Sequence, residues 1–349
     1  MPTTSCLGFH VHRSRNGPRT SPASLGSAVA SIRRALTGWP RPIPAISRWL
    51  ESEAGLLERY GDLIARTGYR EARYDAGTAM PAFSAILDGQ TLLFVRAWAA
   101  ASEEDIGFIQ SVLNDDLMFW RMVLADADIL LTKMIAVAAV TRHFEMGNLV
   151  SRRAGGALDL PSSWRVELSD DERSMQRSLT GEWIYADGLL KDMEGNGTVS
   201  WRILSPFWQP QDLSNERADL MLRHMDAFDV PLDALPDVYA RISETPSYSR
   251  RPFRRAYNLA GDLLMSGDHV DIGRYAVRVA DLEGIRRAAV LAWRLRAAGV
   301  EAAGVESGLA ESELSNPYTN GPFAWDGSRS EIVFDGLEPR PRGRHSFPY

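Results

Sequence analysis

Three acidic residues and two tryptophans between positions 182 and 201 are the side chains whose types and spacing best suggest chemistry. The acids are Glu182, Asp187 and Glu194, and the tryptophans are Trp183 and Trp201. Two carboxyl groups across a glycosidic bond can serve as acid and base, and indole rings can lie against the sugar. The acids are therefore candidate catalytic residues, and the tryptophans candidate binding residues, of a hydrolase acting on an envelope polymer or carbohydrate. The alternative is that they are separate acids on exposed helix faces.

Two shorter patterns suggest other chemistry. Arg142-His143-x-Glu145 contains an acid and a base, but both basic groups also suit the C-terminal end of a helix, where they complement its dipole. Asp126-x-Asp128 contains oxygen ligands for a divalent cation, although acids at a helix junction are more typical of a cap. His224 has no second ligand near it in the sequence. We favour the structural interpretation of all three, and we expect neither a metal nor a cofactor.

The motifs that mark the common enzyme classes are absent from the sequence. It contains no G-x-G-x-x-G, P-loop, G-x-S-x-G, H-E-x-x-H or EF-hand loop. The single cysteine, Cys6, excludes an intramolecular disulfide and a cysteine-based zinc site. A net charge of −6 argues against a nucleic-acid partner, which would require a basic face. The sequence therefore favours a protein that is not an enzyme.

Apolar residues recur at helical spacing from Ile43 onward, which predicts antiparallel helices joined by short loops over residues 43–150. Ser102-Glu-Glu-Asp105 predicts a capping box at the start of one helix. A later helix is expected from Asp128 to Met146, with Gly147-Asn148 as its stop.

Residues 151–339 are predicted to form a second, mostly helical region that is closed by a β-hairpin at 316–335. Ser169-Asp-Asp-Glu172 predicts another capping box, and alternating residues predict a strand from Thr198 to Leu204. The longest late helix is expected from Asp281 to Ala298. The predicted fold class is mainly α, with antiparallel helical hairpins and a small C-terminal β-hairpin.

The two ends of the chain are expected to lie outside this fold. Residues 1–42 are rich in Arg, Ser, Gly and Pro, which predicts a disordered tail or a mis-assigned start. Residues 340–349 are expected to be frayed. No apolar run has the length of a signal peptide or of the roughly 18–20 residues that span a membrane.

The C-terminal segment carries the most specific pattern. Leu291-Ala-Trp-Arg-Leu-Arg-Ala-Ala-Gly-Val precedes Asn316-Pro-Tyr-Thr-Asn-Gly-Pro-Phe-Ala-Trp-Asp, and Ile332-Val-Phe follows. This order resembles the ending of a family of uncharacterised exported or inner-membrane-associated bacterial proteins. In that family a helix precedes an Asp-Pro-Tyr turn and a pseudopilin-like hairpin, and Asn316 stands here in place of the aspartate.

The resemblance implies a place at the inner membrane or in the periplasm and a protein partner at the cell envelope. Membrane association would then require a start other than Met1. The leading interpretation is a non-enzymatic accessory or interaction module of the envelope. A hydrolase of an envelope polymer and a cytosolic helical scaffold are the two alternatives.

Overall fold

A computed structural model describes residues 43–71, 78, 80–193, 208–244, 258 and 272–349 of the chain. Over these residues the protein is mainly helical and carries a small antiparallel sheet at its C-terminal end. The predicted fold class is therefore confirmed. The predicted tail at 1–42 and the predicted strand at 198–204 lie outside the described residues.

The first half consists of helices that pack on one another. They are α1 (Ile43–Ser52), α2 (Ala54–Ile64), α3 (Phe83–Ala100), α4 (Ile106–Asp126) and α5 (Leu130–Ala154). Short loops join α1 to α2, α3 to α4 and α4 to α5. Helix α5 lies against both α3 and α4, so most of its side chains from Leu130 to Ser151 are buried. It is the central helix of the molecule.

The start of α4 differs from the predicted capping box. Asp105 is the N-cap residue, and its carboxylate accepts a hydrogen bond of 3.1 Å from the amide of Phe108. The hydroxyl of Ser102 instead accepts a hydrogen bond of 2.8 Å from the Nε of Arg153. Aspartate and serine are both strong N-cap residues, and here the residue nearer to the apolar run takes the position.

The predicted stop of α5 at Gly147-Asn148 is wrong, because the helix continues to Ala154. Gly147 is buried, and a Cβ atom there would lie 2.7 Å from a ring carbon of Trp164, so glycine is needed for close packing. The side chain of Asn148 donates a hydrogen bond of 3.0 Å to the carbonyl of Pro348. The helix ends instead at Gly155, whose φ of 64° lies in the left-handed region.

The second half adds helices of very different lengths. They are α6 (Ser162–Arg165), α7 (Asp170–Arg173), α8 (Gln176–Met193), α9 (Pro210–Phe228), α10 (Leu235–Glu244), α11 (Ile272–Ala297) and α12 (Val305–Ala310). The predicted capping box of Ser169 and Glu172 is present, but the helix it opens ends at Arg173. Helix α11 begins nine residues before the predicted start at Asp281.

One hydrophobic core runs through both predicted regions. Most buried apolar side chains from Tyr60 to Phe347 belong to one cluster, whereas Trp208 and Leu213 form a small separate one, and α11 packs along α5. Residues 155–163 therefore connect two parts of the same core.

The predicted hairpin is part of a three-stranded sheet. Strands β1 (Ala324–Asp326), β2 (Glu331–Asp335) and β3 (Arg344–Pro348) are antiparallel and lie in the order β1–β2–β3. The third strand corrects the prediction that residues 340–349 are frayed. Its Phe347 is fully buried, and Arg296 donates a hydrogen bond of 3.2 Å to the carbonyl of Pro348.

The sheet lies on α11 at a point where the helix has no side chain. A Cβ atom at Gly284 would overlap the ring of Phe334 from β2. None of the helices in the described ranges is both long enough and apolar enough to cross a membrane.

Candidate functional site

The predicted catalytic acids that the structure describes lie on helix α8. Asp187 accepts a hydrogen bond of 2.7 Å from the Ser214 hydroxyl and pairs with the Nζ of Lys191 at 2.6 Å. The hydrogen bond from Lys191, followed by that from Ser214, lowers the pKa of Asp187, which is opposite to what a general acid requires. Glu182 is half-buried and precedes Asp187 by five residues, so the two point roughly 140° apart around the helix axis.

The predicted binding residue Trp183 contacts the neighbouring helix rather than an open cleft. Its indole Nε1 donates to the carbonyl and the hydroxyl of Ser214 at 3.0 and 3.1 Å. Trp183 and Asp187 therefore both join α8 to α9. Glu194 and Trp201 lie outside the described residues.

Asp126 and Asp128 bind a guanidinium group. Arg177 pairs with Asp126 at 2.9 Å and with Asp128 at 2.6 Å. Within the described ranges, no group of three or more His, Cys, Asp or Glu side chains is arranged to hold a metal ion. His224 donates from its Nδ1 to the carbonyl of Leu220 at 2.8 Å and stacks on Phe228.

His143 forms an acid–base pair, but its partner is Asp116, 27 residues before it in the sequence, and not Glu145. Its Nδ1 lies 2.7 Å from Oδ2 of Asp116 on α4, and both side chains are fully buried. Gln90 from α3 donates to the same carboxylate at 3.0 Å, and the hydroxyl of Tyr60 from α2 donates to its other oxygen. Burial, followed by the charge of Asp116, raises the pKa of Tyr60 well above its usual value.

Indole groups close this network on two sides. The Nε1 of Trp164 donates to the Nε2 of His143 at 2.8 Å, and the Nε1 of Trp120 donates to the Tyr60 hydroxyl at 2.8 Å. An indole N–H can only donate, so Nε2 of His143 carries no proton and Nδ1–H donates to Asp116. Both ring nitrogens of His143 are therefore engaged within the protein, and neither is left for a substrate. The pair joins five helices, α2 to α6, and its polar atoms are engaged within the protein.

Sequence reasoning missed Asp116 although its position carried a signal. It lies between Val112, Leu113 and Leu117 on the apolar face of α4. A carboxylate at such a position needs buried donors, and that requirement predicts a polar network in the core.

An open cavity lies beside this network, and it is the candidate functional site. It has a volume of about 360 Å³ and is lined by α5, α11 and the segment from Glu338 to His345. Met134, Val137 and Ile285 form its apolar wall, and its polar lining consists of two threonines, Thr91 and Thr141, and seven titratable side chains. The titratable side chains come from three elements distant in sequence: Arg142, Glu145, Arg278, Asp281, Glu338, Arg342 and His345.

The carboxylates of the cavity already have partners in the protein. Oδ1 of Asp281 accepts from the Tyr318 hydroxyl at 2.6 Å and from the Leu337 amide at 2.9 Å. Burial raises the pKa of Asp281, although these donors act in the opposite direction. Glu338 lies 2.6 Å from the Nη2 of Arg278, and Glu145 lies 3.7 Å from the Nδ1 of His345.

Two arginines of the cavity are not paired in this way. Arg142 is half-buried, and its Nη1 donates to the Leu87 carbonyl at 2.6 Å and to the Thr91 hydroxyl at 3.2 Å. Both acceptors are neutral. Arg342 is exposed and forms no ion pair with any residue in the described ranges. Burial lowers the pKa of Arg142, and the carboxylates of Asp88 and Glu145 oppose the shift.

The chain was compared with protein-family models, with curated protein sequences and with solved structures, and none of the three comparisons found a match.

Proposed function

We propose that this protein is a non-enzymatic binding module that takes a small ligand into the cavity between α5, α11 and the C-terminal segment. The supporting observation is the contrast between its two clusters of titratable groups. Trp164 and Tyr60 hydrogen-bond to the Asp116–His143 pair and so occupy atoms that a ligand would need. The charged cavity, in contrast, is open, and its arginines keep N–H groups that could bind a ligand. Concave cavities of this size, in which polar groups converge beside an apolar wall, are usual sites for small ligands.

The test compares the wild-type protein with a variant in which the cavity is filled. Ala138 lines the cavity from an exposed position on α5, so Ala138→Trp would occupy space without disturbing the core. A panel of small polar molecules is screened by thermal unfolding, because a ligand that binds the folded state raises the melting temperature. We expect at least one compound to stabilise the wild type and not Ala138→Trp. Equal shifts in both proteins, or no shift in either, would contradict the proposal.

We also propose that the module works at the cell envelope, as an accessory protein that binds a protein partner. The support is the resemblance of the segment from Asn316 to Asp326 to exported or inner-membrane-associated bacterial proteins. Fractionation of the native host, with the N-terminus read by mass spectrometry, tests the location. Recovery in the membrane or periplasm supports it, and a purely cytosolic protein that begins at Met1 would favour the helical scaffold instead.

A second groove is suited to that partner. It has a volume of about 470 Å³, and its apolar lining includes Leu222, Met225 and Phe228 at the C-terminal end of α9. Leu222 is 53% exposed. Asp226 and Asp229 line the groove and are exposed, and the terminal carbonyls of α9 add to the negative potential. This charge favours a partner segment that carries arginine or lysine next to apolar side chains.

Photocrosslinking from Leu222 in the native host tests the groove. The partner's basic, apolar segment should then bind the purified protein, and the double substitution Asp226→Arg with Asp229→Arg should abolish that binding. Unchanged binding by the charge-reversed variant would rule the groove out as the partner site.

The alternative of a carbohydrate hydrolase requires two carboxyl groups on opposite sides of a cleft. Glu182 and Asp187 lie on one helix, and Asp187 is paired with Lys191. This arrangement gives the hydrolase less support than the binding module.

A further inference from the structure

We propose that the ligand of the cavity is a small organic anion, held by Arg142 and Arg342 and carrying a short apolar part. The anionic group is a carboxylate or a phosphate ester, since both present oxygens that match the planar guanidinium fork. This inference rests on the proposed function, because it names the chemistry of the ligand for the same cavity.

Most charged groups of the cavity already have partners within the protein. Asp281 is satisfied by a hydroxyl and two backbone amides. Glu338 pairs with Arg278 at 2.6 Å and with Arg274 at 3.4 Å, and Glu145 lies near His345. Arg142 and Arg342 are the lining guanidinium groups that form no ion pair within the described ranges, although the carboxylates of Asp88 and Glu145 act on Arg142 from a distance. The cavity is therefore suited to a negative group.

Arg142 is held in a position that leaves some of its N–H groups for a ligand. Its Nη1 is fixed by the Leu87 carbonyl and the Thr91 hydroxyl, while its Nη2 and Nε donate to no residue in the described part of the chain. The guanidinium is thus held in one orientation and keeps donors for a ligand. Because the Arg142 side chain is half-buried and both of its acceptors are neutral, an anion beside it would replace lost hydration with a charge-assisted hydrogen bond.

The apolar wall and the size of the cavity indicate what kind of ligand fits. Met134, Val137 and Ile285 offer no hydrogen-bonding group to a ligand. A volume of about 360 Å³ lies at the lower end of the range for small-molecule sites. The ligand is therefore a small amphiphile rather than a bare inorganic ion or a large cofactor.

The experiment uses four straight-chain probes of six carbon atoms each: hexanoate, hexyl phosphate, hexanol and hexylammonium. Isothermal titration calorimetry with the full chain measures the Kd of each. We expect hexanoate or hexyl phosphate to bind and hexanol and hexylammonium to bind at least about tenfold more weakly, because a hydrogen bond to a charged group is lost. Whichever anion binds more tightly identifies the carboxylate or the phosphate as the natural group.

Two variants and one control assign the binding to the arginines. Arg342→Gln changes an exposed side chain, so folding should be unaffected, and we expect the Kd of the anion to rise about tenfold. Arg142→Lys keeps the charge but removes the fork and should also weaken binding. Arg340→Gln is the matched control, because Arg340 is exposed on the same segment, pairs with Asp335 and does not line the cavity.

Two results would overturn the inference. Hexanol binding as tightly as the anions would show that charge is not recognised, while leaving the cavity as a binding site. An unchanged Kd in Arg342→Gln and Arg142→Lys would place the anion elsewhere on the protein. Loss of all binding in Ala138→Trp, together with tight hexanol binding, would support the proposed function and reject only the anion.

Discussion

At the scale of single residues, the buried polar groups of this protein connect helices that are distant in sequence. Asp116 receives donors from α2, α3 and α5, and Lys133 donates to the carbonyls of Leu124 and Glu172 at 2.6 and 2.9 Å. The sequence suggested Glu145 as the partner of His143 because Glu145 is the acidic residue nearest to it in the chain. Asp116 could be identified as the partner only from the knowledge that α4 packs against α5.

The network predicts that Asp116→Asn destabilises the fold. Asparagine has one acceptor oxygen in place of two, and its amide would face donors that then have no acceptor. We expect a loss of about 2 kcal/mol in the free energy of unfolding, measured by chemical denaturation. Asp115→Asn is the control, because Asp115 is the exposed neighbour and its replacement should change stability by less than about 0.5 kcal/mol. Equal losses in the two variants would contradict a structural role for the network.

Lys133 predicts a specific dependence of stability on pH. Burial lowers the pKa of Lys133 from its usual value to about 7, so the unfolded chain binds more protons than the folded protein between about pH 7 and its unfolded pKa near 10.5. Stability due to this group must therefore rise with pH across that window, by up to about 1.4 kcal/mol per pH unit.

Lys133→Met removes the titrating group while keeping a long apolar side chain. Chemical denaturation at pH 7 and pH 9 should show that the gain in stability with pH is smaller in the variant than in the wild type. Parallel pH profiles for the two proteins would show that Lys133 titrates in the folded state as it does in the unfolded chain.

At the scale of elements, the sequence predicted the existence of helices better than their ends. The start of α7 was correct because a capping box is a local signal. The stop at Gly147-Asn148 was wrong because those residues serve tertiary contacts, namely the approach of Trp164 and the hydrogen bond to Pro348. A glycine in a sequence does not show whether it ends a helix or admits a neighbouring side chain.

Strand β3 was missed for a related reason. Residues 340–349 contain two prolines and three arginines, a composition typical of a loose end. The segment is ordered by partners that are far away, since Phe347 enters the core and Asn148 and Arg296 donate to Pro348.

The burial of Phe347 predicts that Phe347→Ala costs about 3–5 kcal/mol in the free energy of unfolding, because it leaves a cavity in a packed core. Arg344→Ala in the same strand changes an exposed side chain that pairs with Asp335 at 3.5 Å, and it should cost less than about 1 kcal/mol. Denaturant melts of both variants give the comparison. A small effect of Phe347→Ala would mean that the C-terminal residues are frayed, as the sequence suggested.

At the scale of the whole molecule, the candidate site exists only because one core joins the two predicted regions. The cavity takes Arg142 from the first region, Asp281 from the second and Arg342 from the segment expected to be frayed. No local motif connects these residues, so their proximity could not be predicted from the sequence. The fold class could be predicted, because helical periodicity and turn residues are local properties.

The most direct test of the cavity as a binding site is a methyl NMR titration of the full chain labelled at methionine. Met134 and Met146 line the cavity, whereas Met118 is 62% exposed on α4 and does not. On addition of hexanoate or hexyl phosphate, we expect the methyl signals of Met134 and Met146 to shift in a saturable manner while the signal of Met118 stays fixed. Unchanged Met134 and Met146 signals with all four probes, or equal shifts at all three residues, would contradict a ligand site in this cavity.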